Sequence, residues 1–322
     1  MATDIKKNIT IEDVARRAGT ALSTASLALN GKARVSPHTR EAVLQAAQEL
    51  GFEANPLARR LAGGASNNHI DIFSLMLNAG VALEKLKTIH RLLTREGYDV
   101  LIHSYDFYDR CHTNESLSLM RSLCRQRPRA IVCATPGVTD EVYEYLNDYQ
   151  QEGGVAICYD DPVPISCDNV LFDFEHSLYL AAGHLVKQGH RDLGLYVQGQ
   201  ESPPETAIRG FSRALQEHGL KPRRNWFFGS SAAGEEGGFE LAKQFLRLKQ
   251  RPTAMCIVND ASALAFSVEM GRAGIRIPEE VSVIGHDDLP LARCAPVMLS
   301  SVTHPTERIA EEVVRLLTAR LN

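Results

Sequence analysis

The sequence predicts two folds in one chain: a small all-α head, then an α/β body built on parallel sheets. Three observations carry this. Residues 1–52 hold three short helical patterns separated by glycine stops, and no strand pattern. From Ile70 onward, apolar runs of strand length alternate with helical runs, the order that gives parallel sheets covered on both faces. The body has eight such strand runs, which suit two small sheets better than one large one. A chain of 322 residues has room for two or three domains.

The first helix opens at Thr10-Ile11-Glu12-Asp13. Thr10 is a good N-cap, and the two acids stand at the positive end of the helix dipole. Ile11, Val14, Ala15 and Ala18 form its apolar stripe, and Gly19 stops it. A second helix spans Leu22 to Leu29, with Ala25 and Ala28 inward, and Asn30-Gly31 reads as a turn. A third runs from Pro37 to Leu50, with Ala42, Val43, Ala46 and Leu50 inward and Gly51 as its stop. Helix, tight turn, helix and a third helix make the layout of a helix-turn-helix DNA-binding unit.

A very short helix is expected next. Asn55 caps it, Pro56 fits the first helical position, and Gly63-Gly64 end it. Below about 12 residues a helix is marginal alone in water, so this one needs a partner. Arg59 and Arg60 suit phosphates, Ala58 and Ala62 allow close approach, and Leu61 is an apolar wedge; together they fit a minor groove. The expected boundaries are 1–53 for the head, 54–64 for a hinge helix and 65–322 for the body.

Strands are expected at Ile70–Leu77, Asp99–His103, Ala130–Ala134, Val155–Tyr159, Val170–Phe172, Leu193–Val197, Ala254–Val258 and Val281–Gly285. Helices are expected between them and at Glu307–Arg320.

Charge follows the same division. Residues 1–65 carry nine Lys/Arg against six Asp/Glu, a surplus of three, so the whole chain's −4 leaves −7 on the remainder. A positive head on a negative body points to a head that alone meets a polyanion. The seven cysteines form no Cys-x-x-Cys pair, so neither a disulfide framework nor a zinc site is indicated. No signal peptide or membrane-spanning apolar run is present, and a cytoplasmic protein is expected. No phosphate-loop, Gly-x-Gly-x-x-Gly, His-Glu-x-x-His or Gly-x-Ser-x-Gly motif occurs. The expectation is a protein that is not an enzyme and needs no cofactor or metal.

The head resembles that of the lac repressor (LacI/GalR) family. The residues that carry the likeness are Thr10–Ala15, Gly19, Ser23–Ser26, Leu29–Gly31, Val35–Arg40, Gly51-Phe52 and Asn55–Leu61. The resemblance implies that Leu22, Ser23, Ser26 and Leu27 face base edges. It places Thr24, Asn30 and Thr39 at phosphates, with Thr10 and Arg40 also on the DNA side. Asn55, Ala58 and Leu61 then belong to the hinge helix in the minor groove. Two departures stand out. Thr20-Ala21 precedes the second helix, which shifts its cap to Thr20. Leu27 stands where an arginine is common, so no bidentate guanine contact comes from there, and a thymine methyl is the natural target.

The body resembles the same family's sensor, which is similar to periplasmic sugar-binding proteins of two lobes (type I). The marks are His184–Arg191, Arg209–Leu215, Asn259–Ala265 and Ile277–Asp288. The resemblance implies an effector cleft lined by Arg209, Asn259 and Asp287, with Asp160 or Asp161 joining them. A guanidinium fork, an amide and carboxylates suit a sugar or related polyol. Asn78-Ala79-Gly80-Val81 and the bulky Phe174 and His176 depart from the family pattern. The implied function is a repressor that binds a pseudo-palindromic operator as a homodimer and answers to a small molecule. The alternative is a degenerate cleft, with control by a partner protein or none.

Overall fold

The structure is a computed structural model that describes residues 9–29, 35–52, 68–75, 80–105, 113–136, 138–199, 201–293 and 298–322. The chain divides into two compact units, Met1–Asn68 and His69–Asn322. The Asn30-Gly31 turn, the hinge helix and Asn78-Ala79 lie outside the described residues.

In the first unit, α1 is Ile11–Arg17, α2 is Leu22–Leu29 and α3 is Pro37–Leu50. Thr10 and Asp13 close a capping box on α1: Asp13 N donates to Thr10 Oγ1 at 3.3 Å, and Thr10 N to Asp13 Oδ2 at 3.0 Å. Ser36 caps α3 by accepting from Thr39 N at 3.2 Å. Gly51, at φ +63°, closes its far end in the left-handed region. The expectation that Thr20 caps α2 is corrected. Thr20 N donates to Ala15 O at 3.0 Å and so closes α1, while the residue flanking α2 is Ala21, whose carbonyl accepts from Ala25 N. The three helices meet on a small core of Val14, Ala15, Ala25, Ala28, Val43, Ala46 and Ala47. Side chains of that size let short helices pack closely. Arg17 and Glu49 join α1 to α3 at 2.6 Å.

The second unit opens with β1 (His69–Leu75), α4 (Gly80–Arg95), β2 (Asp99–Tyr105), α5 (Thr113–Gln126), β3 (Ala130–Ala134), α6 (Asp140–Gln151), β4 (Val155–Asp160) and β5 (Asp168–Leu171). These strands form a parallel sheet in the order β2-β1-β3-β4-β5. Its strands β3 and β4 are apolar on both faces because both are covered, whereas the edge strand β2 exposes Leu101 and Ile102. Ile70, Ile72, Ile157 and Tyr159 pack one way, with Leu86 and Ile89 of α4. Phe73, Ile131 and Cys158 pack the other way, with Met120 of α5 and Val142 of α6.

The second lobe holds α7 (Phe174–Lys187), β6 (Leu193–Gln198), α8 (Glu205–Glu217), β7 (Phe227–Ser230), α9 (Gly234–Leu246), β8 (Ala254–Val258), α10 (Asp260–Arg272), β9 (Ser282–Asp287) and β10 (Ser300–Thr303). Its sheet runs β7-β6-β8-β9-β10, again parallel. α7 and α8 cover one face with Leu178 and Phe211, and α9 and α10 the other with Phe245 and Phe266. In chain order both sheets read second, first, third, fourth, fifth strand. The last helix, α11 (Thr306–Leu321), returns to the first lobe and packs Ile309, Val313 and Leu317 against its core. The chain therefore crosses between lobes after β5 and again after β10.

Candidate DNA-reading face and effector cleft

On α2, Ala25 and Ala28 point into the core. At 100° per residue this leaves Ser23, Ser26 and Leu27 on the outward side, with Leu22 in the first turn and 46% exposed. Thr24 is half-buried beside them. Thr10 Oγ1 donates to Asp13 Oδ2 at 2.8 Å, and the hydroxyls of Ser36 and Thr39 meet at 2.8 Å. Both threonines thus serve helix ends in the free head. Arg40 stands in the first turn of α3, half-buried. Asn30, Asn55, Ala58 and Leu61 lie outside the described residues.

In the body, the ligand edge of such sheets lies beyond the carboxyl ends of the strands, where strand order reverses. Asp160 ends β4 at φ +92° and Asp287 ends β9 at φ +117°. Asn259 follows β8 and caps α10, its Oδ1 accepting from Ser262 N at 3.0 Å. The next residue, Asp260, is buried and accepts from Leu289 N at 2.8 Å and Ser301 Oγ at 2.6 Å, which ties the loop after β9 to α10. Burial pushes its carboxyl above the usual range. Leu289 in turn fills the space beside Gly80, at the start of α4 in the other lobe.

Arg209 is held by an acid of α7. Its Nε donates to Glu175 Oε2 at 2.9 Å, and Arg213 shares the same carboxylate at 3.4 Å. The pairing with Glu175, rather than with Glu205 in its own first turn, follows from close helix packing. Gly210 lets α8 lie on the first turn of α7, where an added Cβ would meet the Glu175 carbonyl.

The junction of the lobes joins Asp160 and Asp287 to Lys85 and His304, two residues that the motifs did not mark. Lys85 is 2% exposed, and its Nζ lies 2.5 Å from both oxygens of Asp160. On its other side, 3.4 Å away, is Nε2 of His304, in the segment where the chain crosses back to the first lobe. The His304 ring packs on Phe172 at 4.2 Å. Burial, and then the Lys85 charge, push the His304 imidazole down to about 2, so it is neutral near pH 7. His286 faces Phe172 and Phe174, each at 5.7 Å. Its ring nitrogens engage Asp287 Oδ1 and Ser177 Oγ, each at 2.9 Å. His286, Asp287 and His304 place ligand atoms within 4.8 Å of one another, yet a dication there would face the ammonium of Lys85. One sequence signal for this junction exists. Ala82, Lys85, Leu86, Ile89 and Leu93 form the buried stripe of α4, and a lysine on such a stripe needs a partner.

Residues 10–55 match the family described as bacterial regulatory proteins, lacI family, and residues 182–322 match a periplasmic binding protein-like domain. The chain is 31% identical to the HTH-type transcriptional regulator GntR of Pseudomonas aeruginosa, over 97% of this chain and 90% of that protein. A lac repressor dimer bound to operator and the anti-inducer ONPF shares the fold at a TM-score of 0.80 and 24% identity, over 98% of this chain and 93% of the other. A complex of the regulator CelR with cellobiose shares it at 0.67 and 22%, over 97% and 93%. The chain belongs to the lacI family of bacterial regulatory proteins. It is a DNA-binding transcriptional regulator with a helix-turn-helix head and a periplasmic-binding-protein-like body.

Proposed function

We propose that the protein is a repressor that binds a pseudo-palindromic operator as a homodimer, one head per half-site, and that a sugar-like effector in the cleft changes that binding. The observation that carries this is the outward side of α2, which presents Leu22, Ser23, Ser26 and Leu27 on a three-helix head whose first and third helices are capped, joined to a two-lobed body whose strand ends gather polar side chains. Boundaries at 1–53, 54–64 and 65–322 assign reading, hinge and sensing. In the head, Leu22, Ser23, Ser26 and Leu27 read bases, while Thr10, Thr24, Asn30, Thr39 and Arg40 hold the backbone. Asn55, Ala58 and Leu61 act in the minor groove. In the sensor, Asn259, Asp287, Asp160 and Arg209 supply the polar lining. The lac repressor in the complex noted above is bound to operator, and CelR to cellobiose, which supports both halves of the reading. Among the described residues no helix is long and apolar enough to cross a membrane. A DNA target places the protein in the cytoplasm, and regulation rather than turnover is its work.

The test is binding to genomic DNA fragments across a salt series. Affinity is expected to fall with a slope near −0.9 per phosphate neutralised, and a chain lacking residues 1–64 is expected not to bind. Salt-independent binding, or binding by the truncated chain, overturns the reading.

A further inference from the structure

The second-lobe sheet ends in β10, an edge strand of four residues that is only partly covered. A groove of about 1040 Å³ opens where β9 and β10 begin, at Ser282 and Ser300, beside the last turns of α7 and α10. These are the amino ends of the strands, so the groove lies away from the effector cleft at their carboxyl ends. Ile275, Ile277, Val283 and Ile284 give it an apolar lining. On its α10 side the side chains are small: Ser267 and Gly271 line it, and a Cβ added at Gly271 would meet nothing within 4 Å. Met298 lines the same groove and is 85% exposed, the most exposed large apolar side chain among the described residues. Val268, beside Ser267 on α10, is also exposed. The polar groups here are largely committed. Arg276 pairs with Glu280 at 3.1 Å, and the two ring nitrogens of His190 engage Thr253 and Ser282.

We infer that a second copy of this chain docks on the groove, with Met298 of each protomer seated in the groove of the other. The inference rests on the homodimer reading and assigns its interface. An apolar side chain left in water beside an apolar hollow is a knob and a hole on one patch, and exposed patches of this kind mark interaction sites. A two-fold axis sets residue i against j and j against i, so a patch that carries both halves is complementary to itself. Charge permits the same pairing. Arg276 and Glu279 bring both signs to the groove, so two copies meet without a like-charge field, and an anionic partner finds Arg276 already neutralised. Each contact is made twice across the axis, and one substitution therefore removes two knobs or fills two hollows.

The test is sedimentation equilibrium of the full-length protein. The wild type is expected to be a dimer. Met298→Asp, which puts a charge on the knob, and Gly271→Arg, which fills the hollow, are each expected to raise the dimer dissociation constant about tenfold or more. Met298→Leu is expected to keep the dimer. Both positions are exposed, so circular dichroism is expected to show an unchanged fold; should Met298→Asp unfold, Gly271→Arg decides. A folded Met298→Asp or Gly271→Arg protein that dimerises as tightly as the wild type overturns the inference and leaves the homodimer reading standing. Loss of the dimer in Leu101→Asp, with Met298→Asp unaffected, also overturns it and moves the interface to the β2 edge. A wild-type chain that stays monomeric at the concentrations where it binds operator removes the homodimer reading and the inference together.

Discussion

Asp160 and Asp287 hold the same place in the two lobes: each is the last residue of a fourth strand, and each has left-handed backbone, at φ +92° and +117°. For a residue with a Cβ this costs on the order of 1–3 kcal/mol and persists only where its surroundings fix it. Here each carboxylate is held by a basic partner, Lys85 in one lobe and His286 in the other. The pairing differs in kind: Lys85 reaches both oxygens of Asp160 with an ammonium, while the His286 ring holds one oxygen of Asp287 and is itself fixed on its other nitrogen by Ser177. Two equivalent acids therefore offer the cleft different free lone pairs.

The Lys85–Asp160 pair is buried, at 2% and 12% side-chain exposure. Removing one partner strands the other charge, which typically costs about 3–5 kcal/mol, whereas removing both is far milder. Lys85→Met is expected to lower stability by roughly that amount, and Lys85→Met/Asp160→Asn to recover most of it. Denaturant unfolding of the three proteins measures this. Equal stability of the single and double variants would show that the pair is not coupled.

His304 gives the fold a pH dependence whose sign is fixed. Its folded value is lowered to about 2 from an ordinary 6.5, so between these limits the unfolded chain binds the extra proton. Stability contributed by the neutral ring is complete above pH 6.5 and is lost as pH falls below it, by up to about 1.4 kcal/mol per unit. His304→Gln removes this slope whatever it does to packing. From pH 7 to pH 4.5 the unfolding free energy of the wild type is expected to fall relative to that of the variant; parallel curves would deny the ring a buried neutral state.

Most of the architecture was legible because hydrophobic period and glycine stops are local signals. The head helices begin and end where Thr10, Pro37 and Gly51 indicate. Two strands escaped. Ser300–Thr303 is polar and half-exposed at a sheet edge, and Phe227–Ser230 has only four residues, so neither makes an apolar run. The motifs led to Asn259, Asp287 and Asp160 at strand ends, but they gave no hint of what each acid is paired with. The partners Lys85 and His304 lie 75 and 144 positions from Asp160, and only the lobe crossing brings His304 there. Arg209 shows the same limit: its partner Glu175 belongs to another helix, while the acid near it in sequence, Glu205, is not the one it uses.

Arg209 is 54% exposed in its pair with Glu175, so the pair itself contributes only about 0.2–1 kcal/mol. Arg209→Ala is expected to keep the fold and operator binding. As a ligand contact it would lose a charged hydrogen bond, about 1.5–3 kcal/mol, or roughly ten- to a hundredfold in effector affinity. Operator binding by the variant is followed while the effector is titrated. An unaltered response assigns Arg209 to the helix surface alone and leaves the cleft to Lys85, Asp160, Asn259 and Asp287.

The contact of Leu289 with Gly80 joins the lobes at the cleft edge, and it is the simplest place to perturb their closure. Gly80 has no side chain, and the Leu289 methyls occupy the space a Cβ would take. Leu289 is itself fixed from behind, because its backbone N–H donates to the buried Asp260. A larger residue at position 80 must therefore push the Leu289 side chain aside or move one lobe. Overpacking of this kind typically costs about 1–3 kcal/mol. Gly80→Val is expected to open the lobes and weaken effector binding, whereas Leu289→Ala leaves room for it. The double variant Gly80→Val/Leu289→Ala is then expected to regain effector affinity that Gly80→Val alone has lost, a coupling that independent sites do not show. Small-angle scattering of the body with effector reports closure, and titration reports affinity. Additive effects of the two substitutions would mean that this contact does not set the angle between the lobes.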